Sequence, residues 1–133
     1  TIQINYGNDW SASIDFDSLG IFLAQEEYIF SYHNSNLVMY IDTVESYIHN
    51  DGMWLFLDIA DTDSIFTYVG PSDDSIIFPV GQILVGYQNG SYGSYGDLKL
   101  VTNSSLYNYS TLSILYNPDQ PDKNPRLDIM YTK

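Results

Sequence analysis

The chain has no cysteine and very few positive charges. Its 133 residues hold 17 Asp and Glu but only four Lys and Arg, and the formal net charge is −13 at pH 7. The four cations are Lys99, Lys123, Arg126 and Lys133, so the first 98 residues have no Lys or Arg. Nucleic acid and anionic lipid are bound by clustered Lys and Arg side chains, which are missing here. The absence of cysteine excludes a disulfide scaffold and a thiolate metal site.

Long apolar runs are also absent. No run is longer than that at Leu37 to Ile41, which is far shorter than the ~18–20 residues that cross a bilayer, so we expect no membrane insertion. The chain begins at Thr1 rather than Met, as expected of a mature product or an excised ectodomain. Aromatic residues make up 16% of the chain, which is unlike disordered proteins of high net charge. We therefore expect one folded domain, residues 1–133.

Helical periodicity is nearly absent, whereas apolar and polar residues alternate along most of the chain. Ile2, Ile4 and Tyr6 share one face of a first strand, and Ala12, Ile14 and Phe16 share one face of a second. Turn signals follow every 8–12 residues or so, which is typical of sandwiches and barrels. The pattern predicts an all-β fold, an antiparallel β-sandwich of the Ig-like or jelly-roll-like kind with about ten short strands.

Several local predictions follow from the same pattern. Met53 to Ile59 is apolar on both faces, which predicts a central strand. Asn50-Asp51-Gly52 before it predicts a hairpin turn, and His33 to Asn36 predicts another turn. The continuous run Leu37 to Asp42 predicts a strand buried on both faces, which continues past a bend through Thr43 to Ile48. Further strands are predicted at Ile65 to Val69, Ile76 to Val80, Ile83 to Tyr87, Leu98 to Val101, Leu106 to Tyr116 and Leu127 to Tyr131. The one candidate helical turn is Asp17 to Glu27.

No catalytic signature is present. The two histidines, His33 and His49, fall in predicted loops, and there is no Gly-x-Ser-x-Gly nucleophile elbow. With 17 acidic residues, a pair of carboxylates for glycoside hydrolysis can be proposed almost anywhere, so such a pair carries no specificity. We therefore expect no enzyme and no catalytic residues.

A structural calcium site is one interpretation of the acidic turn at Asp61 and Asp63. Calcium takes 6–8 oxygen ligands, many of them loop carboxylates and carbonyls. The spacing lacks the Gly and the distal Glu of a helix–loop–helix calcium loop, and Asp is also a common turn residue. The sequence predicts no other cofactor.

Three Asn-x-Ser sequons begin at Asn89, Asn103 and Asn108. Together they suggest a secreted, glycosylated surface, although Asn and Ser are also ordinary turn residues. The scarcity of cations suits a surface that is exposed to acid, because a lysine-rich protein would repel itself at low pH. It also suits high salt or simple solubility.

Exposed aromatic side chains could bind carbohydrate. Tyr92 and Tyr95 lie in a Gly- and Ser-rich loop, where flanking glycines would leave their rings accessible. Trp10 and Trp54 are further candidates. The alternative is that both tryptophans belong to the core and that the loop is a solvated hairpin tip.

Several predicted strands are rich in Ile, Tyr, Asn and Ser, such as Ile2-Gln3-Ile4-Asn5-Tyr6 and Leu106-Tyr107-Asn108-Tyr109-Ser110. In this composition, and in its three sequons, the chain resembles the ectodomains of archaeal cell-surface proteins. The proteins meant are archaellum-associated anchors and pilus or thread subunits. The resemblance implies a structural role, with like subunits or another cell-surface protein as partners. We accordingly expect a non-enzymatic extracellular module that acts through protein–protein contact, as an anchor or a filament or assembly subunit; the sequence leaves open whether it forms a homo-oligomer. A carbohydrate-binding module is the alternative.

Overall fold

Strands dominate the structure, as the alternation predicts. The computed structural model describes residues 2–6, 12–14, 29–59, 63–88, 98–102 and 110–132, and nine strands lie in these ranges. They are β1 (Ile2–Tyr6), β2 (Ala12–Ile14), β3 (Ile29–Tyr40), β4 (Met53–Ile59), β5 (Asp63–Val69), β6 (Ser75–Pro79), β7 (Leu98–Thr102), β8 (Ser110–Ile114) and β9 (Arg126–Thr132). One helix, α1 (Gly81–Gln88), follows β6, and a 3₁₀ turn (Pro121–Lys123) precedes β9.

The described strands form three antiparallel sheets. Their orders are β1-β8, β2-β7-β4-β5 and β6-β3-β9. Every registered pair is antiparallel. The predicted β class and the antiparallel pairing are therefore confirmed.

A single hydrophobic core joins all three sheets and the helix. It contains buried residues of β3, β4, β5, β6, β7, β8 and α1, among them Met39, Leu55, Phe78, Leu84 and Leu112. Each such side chain contributes roughly 1.5–3 kcal/mol through removal of its apolar surface from water. This shared core fixes which face of each sheet is left to solvent.

Strand β4 shows that division most clearly. Met53, Leu55, Leu57 and Ile59 are buried, whereas Trp54 on the alternate face is exposed. The strand lies between β7 and β5, so its interior place in the sheet agrees with the prediction. Although both faces of β4 are apolar in sequence, the core covers only one face of this sheet.

The helix α1 corrects a second prediction, since Ile83 to Tyr87 was expected to be a strand. Helical bonding begins where Leu84 N–H donates to the Val80 carbonyl at 3.1 Å. Ile83 and Leu84 enter the core, and the helix packs against β3. A short apolar run does not distinguish a buried strand from a buried helical turn, so packing decided between them.

Strand β3 runs through the turn predicted at His33 to Asn36. Its pairing with β9 changes register between Ser31 and Asn36, where three more residues lie on β3 than the regular ladder would place there. The polar residues of the expected turn therefore lie at an irregularity within one long strand. Leu37 and Met39 are buried, as is Val38 between them, which confirms burial on both faces in this part of β3.

The strand predicted over Thr43 to Ile48 is replaced by a turn and two isolated bridges to β8, Ile41 to Ile114 and Tyr47 to Thr111. Ser46 Oγ accepts a hydrogen bond from the buried Ser113 N–H at 2.9 Å. The Ser110 hydroxyl accepts one from His49 N–H at 2.9 Å. These bonds satisfy backbone donors beside the core, where a regular ladder is missing.

The turn predicted at Asn50-Asp51-Gly52 is present, with Gly52 at a φ of 74° and its N–H donating to the His49 carbonyl at 2.7 Å. It does not join paired strands, because Tyr47 bridges β8 and β4 pairs with β5 and β7. Of the strand predicted over Leu106 to Tyr116, Ser110–Ile114 is confirmed as β8. The candidate helical turn Asp17 to Glu27 lies outside the described residues.

Candidate functional site

A group of aromatic side chains covers the solvent side of β4 and β5. Trp54 lies opposite Tyr68 in the strand register, and Phe56 lies opposite Phe66. Trp54, Phe66 and Tyr68 are 42%, 60% and 45% exposed, and Phe56 is half-buried between its neighbours. We call these four residues the aromatic face. It exists because the period of a strand is two: the residues between the core positions of β4 and β5 all point away from the core.

The rings contact one another edge to face. The Trp54 and Phe66 centroids are 5.5 Å apart at an interplanar angle of 69°, and those of Trp54 and Tyr68 are 5.4 Å apart at 65°. Phe56 and Phe66 are tilted at 45° with centroids 6.0 Å apart. Pairs of this kind contribute about 0.5–1.5 kcal/mol beyond the area they bury. The rings are therefore held in place before any ligand arrives, and they form corners rather than one flat plane.

The end of the aromatic face at Tyr68 is fixed by the two neighbouring turns. Tyr68 Oη donates a hydrogen bond to the Asp51 carbonyl at 3.0 Å. Gly70 N–H donates to Asp73 Oδ2 at 2.8 Å. A Cβ placed on Gly70 would lie 3.5 Å from the Tyr68 ring and 3.6 Å from the Asp73 carboxylate, so ring and carboxylate flank the same position. Acidic residues therefore adjoin Tyr68 in both turns.

The opposite end of the aromatic face carries charges of both signs. Asp58 lies opposite Lys99 of β7 and opposite Ser64 of β5 in the strand register. Lys99 is exposed, and the half-buried Val101 lies opposite Phe56. Strand β5 is the last strand of its sheet among the described residues, so the aromatic face reaches the sheet edge. Such an edge can accept a further strand from a partner.

A second cluster gathers two of the four cations around Tyr40. Arg126 Nη1 donates to Tyr40 Oη at 2.8 Å, and Arg126 Nε donates to Asp128 Oδ1 at 3.0 Å. Lys123 Nζ lies 4.3 Å from the centroid of the Tyr40 ring. The hydrogen bond with Tyr40, followed by the one with Asp128, raises the pKa of Arg126 above its usual value. Arg126 therefore stays protonated.

The adjoining loop between β8 and β9 surrounds an open concavity of about 730 Å³. Asn124 closes this loop: its Oδ1 accepts from Asn117 N–H at 2.7 Å and its Nδ2 donates to the Asn117 carbonyl at 3.0 Å. Asp119 and Asp122 line the concavity beside Lys123. No nucleophile–base pair occurs along this lining.

Only some of the predicted site residues lie in the part of the chain that the structure describes. Trp54 is exposed, so the interpretation of it as a core residue is wrong. Asp63 is exposed at the start of β5, where its Oδ1 accepts from Ser64 N–H at 3.0 Å. Within the described ranges, no three His, Asp or Glu side chains come close enough to hold a metal ion. Trp10, Tyr92, Tyr95, Asp61 and the sequon residues Asn89, Asn103 and Asn108 lie outside the described residues.

Phe66 and Tyr68 are not among the site residues predicted from the sequence. The signal was available, because both alternate with Ile65 and Val69 and follow an acidic turn after β4. Pairing β4 with β5 as neighbours would have put these two rings on the same face as Trp54.

No family model, curated protein or solved structure significantly matches this chain. The helical part of the described chain contains no segment with the length and hydropathy of a membrane span.

Proposed function

We propose that this protein is a non-enzymatic module that acts through protein–protein contact, and that the aromatic face on β4 and β5 is its contact surface. The observation that carries the proposal is the exposure of Trp54, Phe66 and Tyr68 as neighbours on β4 and β5, the last two strands of their sheet among the described residues. Aromatic residues are enriched at protein interfaces, and Trp and Tyr dominate their binding energy. Exposed rings that already contact one another lose little conformational freedom when a partner covers them.

The proposed setting is the cell surface. The sequons at Asn89, Asn103 and Asn108 and the scarcity of Lys and Arg support an extracellular, glycosylated module. The shared core of the sheets supports a β-sandwich of about ten strands as the complete fold. We propose an anchor or an assembly subunit of the archaeal surface type, with like subunits or another cell-surface protein as partners. A mass spectrum of the native protein that lacks glycans at all three sequons would contradict the glycosylated setting.

Site-specific photo-cross-linking tests the contact surface. Benzoylphenylalanine at position 66 should give a covalent protein adduct of discrete mass in the producing cells. The same group at position 77 is the control, because Ile77 is 51% exposed but lies on β6 of another sheet. Equal adduct yields at the two positions would contradict the proposal. The mass of the adduct also distinguishes a second copy of the chain from a different protein.

Carbohydrate binding is the second candidate, and the exposure of Trp54 favours it. The edge-to-face rings are unsuited to a flat polysaccharide surface but leave room for a single sugar ring against Trp54. Tyr92 and Tyr95 would take part in this function. Glycan-array binding that disappears in both a Trp54→Ala variant and a Tyr92→Ala, Tyr95→Ala double variant would favour carbohydrate binding over protein contact.

A further inference from the structure

The rings of Trp54 and Tyr68 form a corner of aromatic surface. Their centroids are 5.4 Å apart and their planes meet at 65°, so a group entering the corner contacts both rings. Both side chains are partly exposed at this corner. Aromatic faces attract ammonium and guanidinium groups through their quadrupole, and Trp and Tyr are the strongest in this respect.

Two acidic residues adjoin Tyr68, one of the two rings of this corner, from separate turns. Asp51 is bound to Tyr68 through its carbonyl, and its side chain is 70% exposed, with Oδ2 at 3.5 Å from His49 Nδ1. Asp73 lies against Gly70, next to the Tyr68 ring. The corner therefore combines aromatic surface with negative charge, which is the chemistry of a cation site.

The chain itself contains an example of this chemistry. Lys123 Nζ lies over the Tyr40 ring at 4.3 Å, and the Arg126 guanidinium is 5.6 Å from the same ring. At Tyr40 the cations come from the chain itself. The described structure places no Lys or Arg against Tyr68 or Trp54, although the rings and acidic residues there are comparable.

The charge of the chain selects the occupant. A second copy brings another net charge of −13 at pH 7 and only four cations, so like copies repel one another. A partner segment that carries Lys or Arg is attracted by the same field. Because β5 is the last strand of its sheet among the described residues, an extended segment can reach the corner while running along that strand.

We propose that the aromatic face binds a basic, extended segment of a partner protein, an inference that rests on the proposed function. One Lys or Arg side chain of that segment enters the corner between Trp54 and Tyr68. Its charged group lies beside the carboxylates of the two flanking turns. The cation gives the contact its specificity, and the rest of the aromatic face supplies apolar area.

Three nine-residue probe peptides test the proposal, each alternating Thr with one other residue: Lys, Gln or Glu. Binding is followed by NMR shifts of the backbone amides of residues 51–54, 66–70 and 72–73. We expect the Lys peptide to bind at least about fivefold more tightly than the Gln peptide, and the Glu peptide not to bind. Asp73→Asn should weaken the Lys peptide about threefold to fivefold while keeping an acceptor for Gly70 N–H.

Asp119→Asn is the matched control, since it removes one charge from an exposed turn next to the other cluster. Equal weakening by Asp73→Asn and Asp119→Asn would show that only net charge matters and would overturn the proposal. Equal affinity for the Lys and Gln peptides would overturn the proposed cation contact as well. If Phe66→Ser then weakened the binding of both peptides, protein contact at the aromatic face would still be supported. The absence of binding by all three peptides would also overturn it, and the cross-linking yields at positions 66 and 77 would then decide the proposed function independently.

Discussion

The ring of Tyr68 occupies the space where a side chain at Gly52 would begin. A Cβ built on Gly52 would overlap the ring and hydroxyl of Tyr68, and Gly52 has a φ of 74°. Tyr68 Oη also donates to the carbonyl of the preceding residue, Asp51. The turn before β4 and the exposed end of β5 are thus one packed unit, and this unit holds one end of the aromatic face.

Gly52→Ala should therefore destabilise the protein. The new Cβ meets the Tyr68 ring, and the left-handed backbone is strained for alanine, so we expect a loss of about 2 kcal/mol or more. Gly70→Ala is the control, because its Cβ would make only ordinary contacts with Tyr68 and Asp73. Urea unfolding measures both variants. Similar losses at the two glycines would contradict the packing described at Gly52.

Truncation on the core face of this sheet should destabilise the protein more than truncation on the aromatic face. Leu55 is fully buried, and Leu55→Ala should cost about 2–5 kcal/mol. Phe66→Ser, on the exposed face, should cost about 1 kcal/mol, which is the loss of its contacts with Trp54 and Phe56. Thermal and urea unfolding of both variants would check this. A loss at Phe66 as large as that at Leu55 would mean that the aromatic face is part of the core.

Ser46→Ala should remove the acceptor of a buried backbone donor. Ser113 N–H would lose its bond to Ser46 Oγ beside the core, at a cost of about 1–3 kcal/mol. Ser72→Ala, in the exposed turn after β5, is the matched control and should change stability little. Hydrogen exchange of the Ser113 amide gives a direct readout. Unchanged protection of that amide in Ser46→Ala would refute the assignment.

Self-association should increase as the pH falls from 7 towards the isoelectric point, because the net negative charge decreases. At pH 7 each copy carries −13, and we expect a monomer. Near the isoelectric point of about 4.1 the repulsion vanishes, so copies should associate through the aromatic face, less strongly in Phe66→Ser. Sedimentation equilibrium from pH 3 to 8 measures this. A strict monomer throughout that range, up to millimolar protein, would count against contact between like subunits.

The strands and turns could be predicted from the sequence more fully than the solvent-facing sides of the sheets. The alternation at Ile2, Ile4 and Tyr6 and the turn at Gly52 were readable because strand period and turn chemistry are local properties. The helix at Gly81–Gln88 was missed because Ile83, Leu84 and Val85 are adjacent in sequence, and adjacent apolar residues suit either element. The aromatic face was missed because it depends on the pairing of β4 with β5, which no single segment encodes.

The sequence by itself determined the β class, the turns and the excess of negative charge, since these follow from local spacing and composition. Only the tertiary structure decided that Trp54 faces solvent and that Phe66 and Tyr68 lie beside it. Both faces of β4 are apolar in sequence, and the core could cover only one of them. Which face was left open was fixed by the packing of the other sheets and the helix against Met53, Leu55 and Leu57.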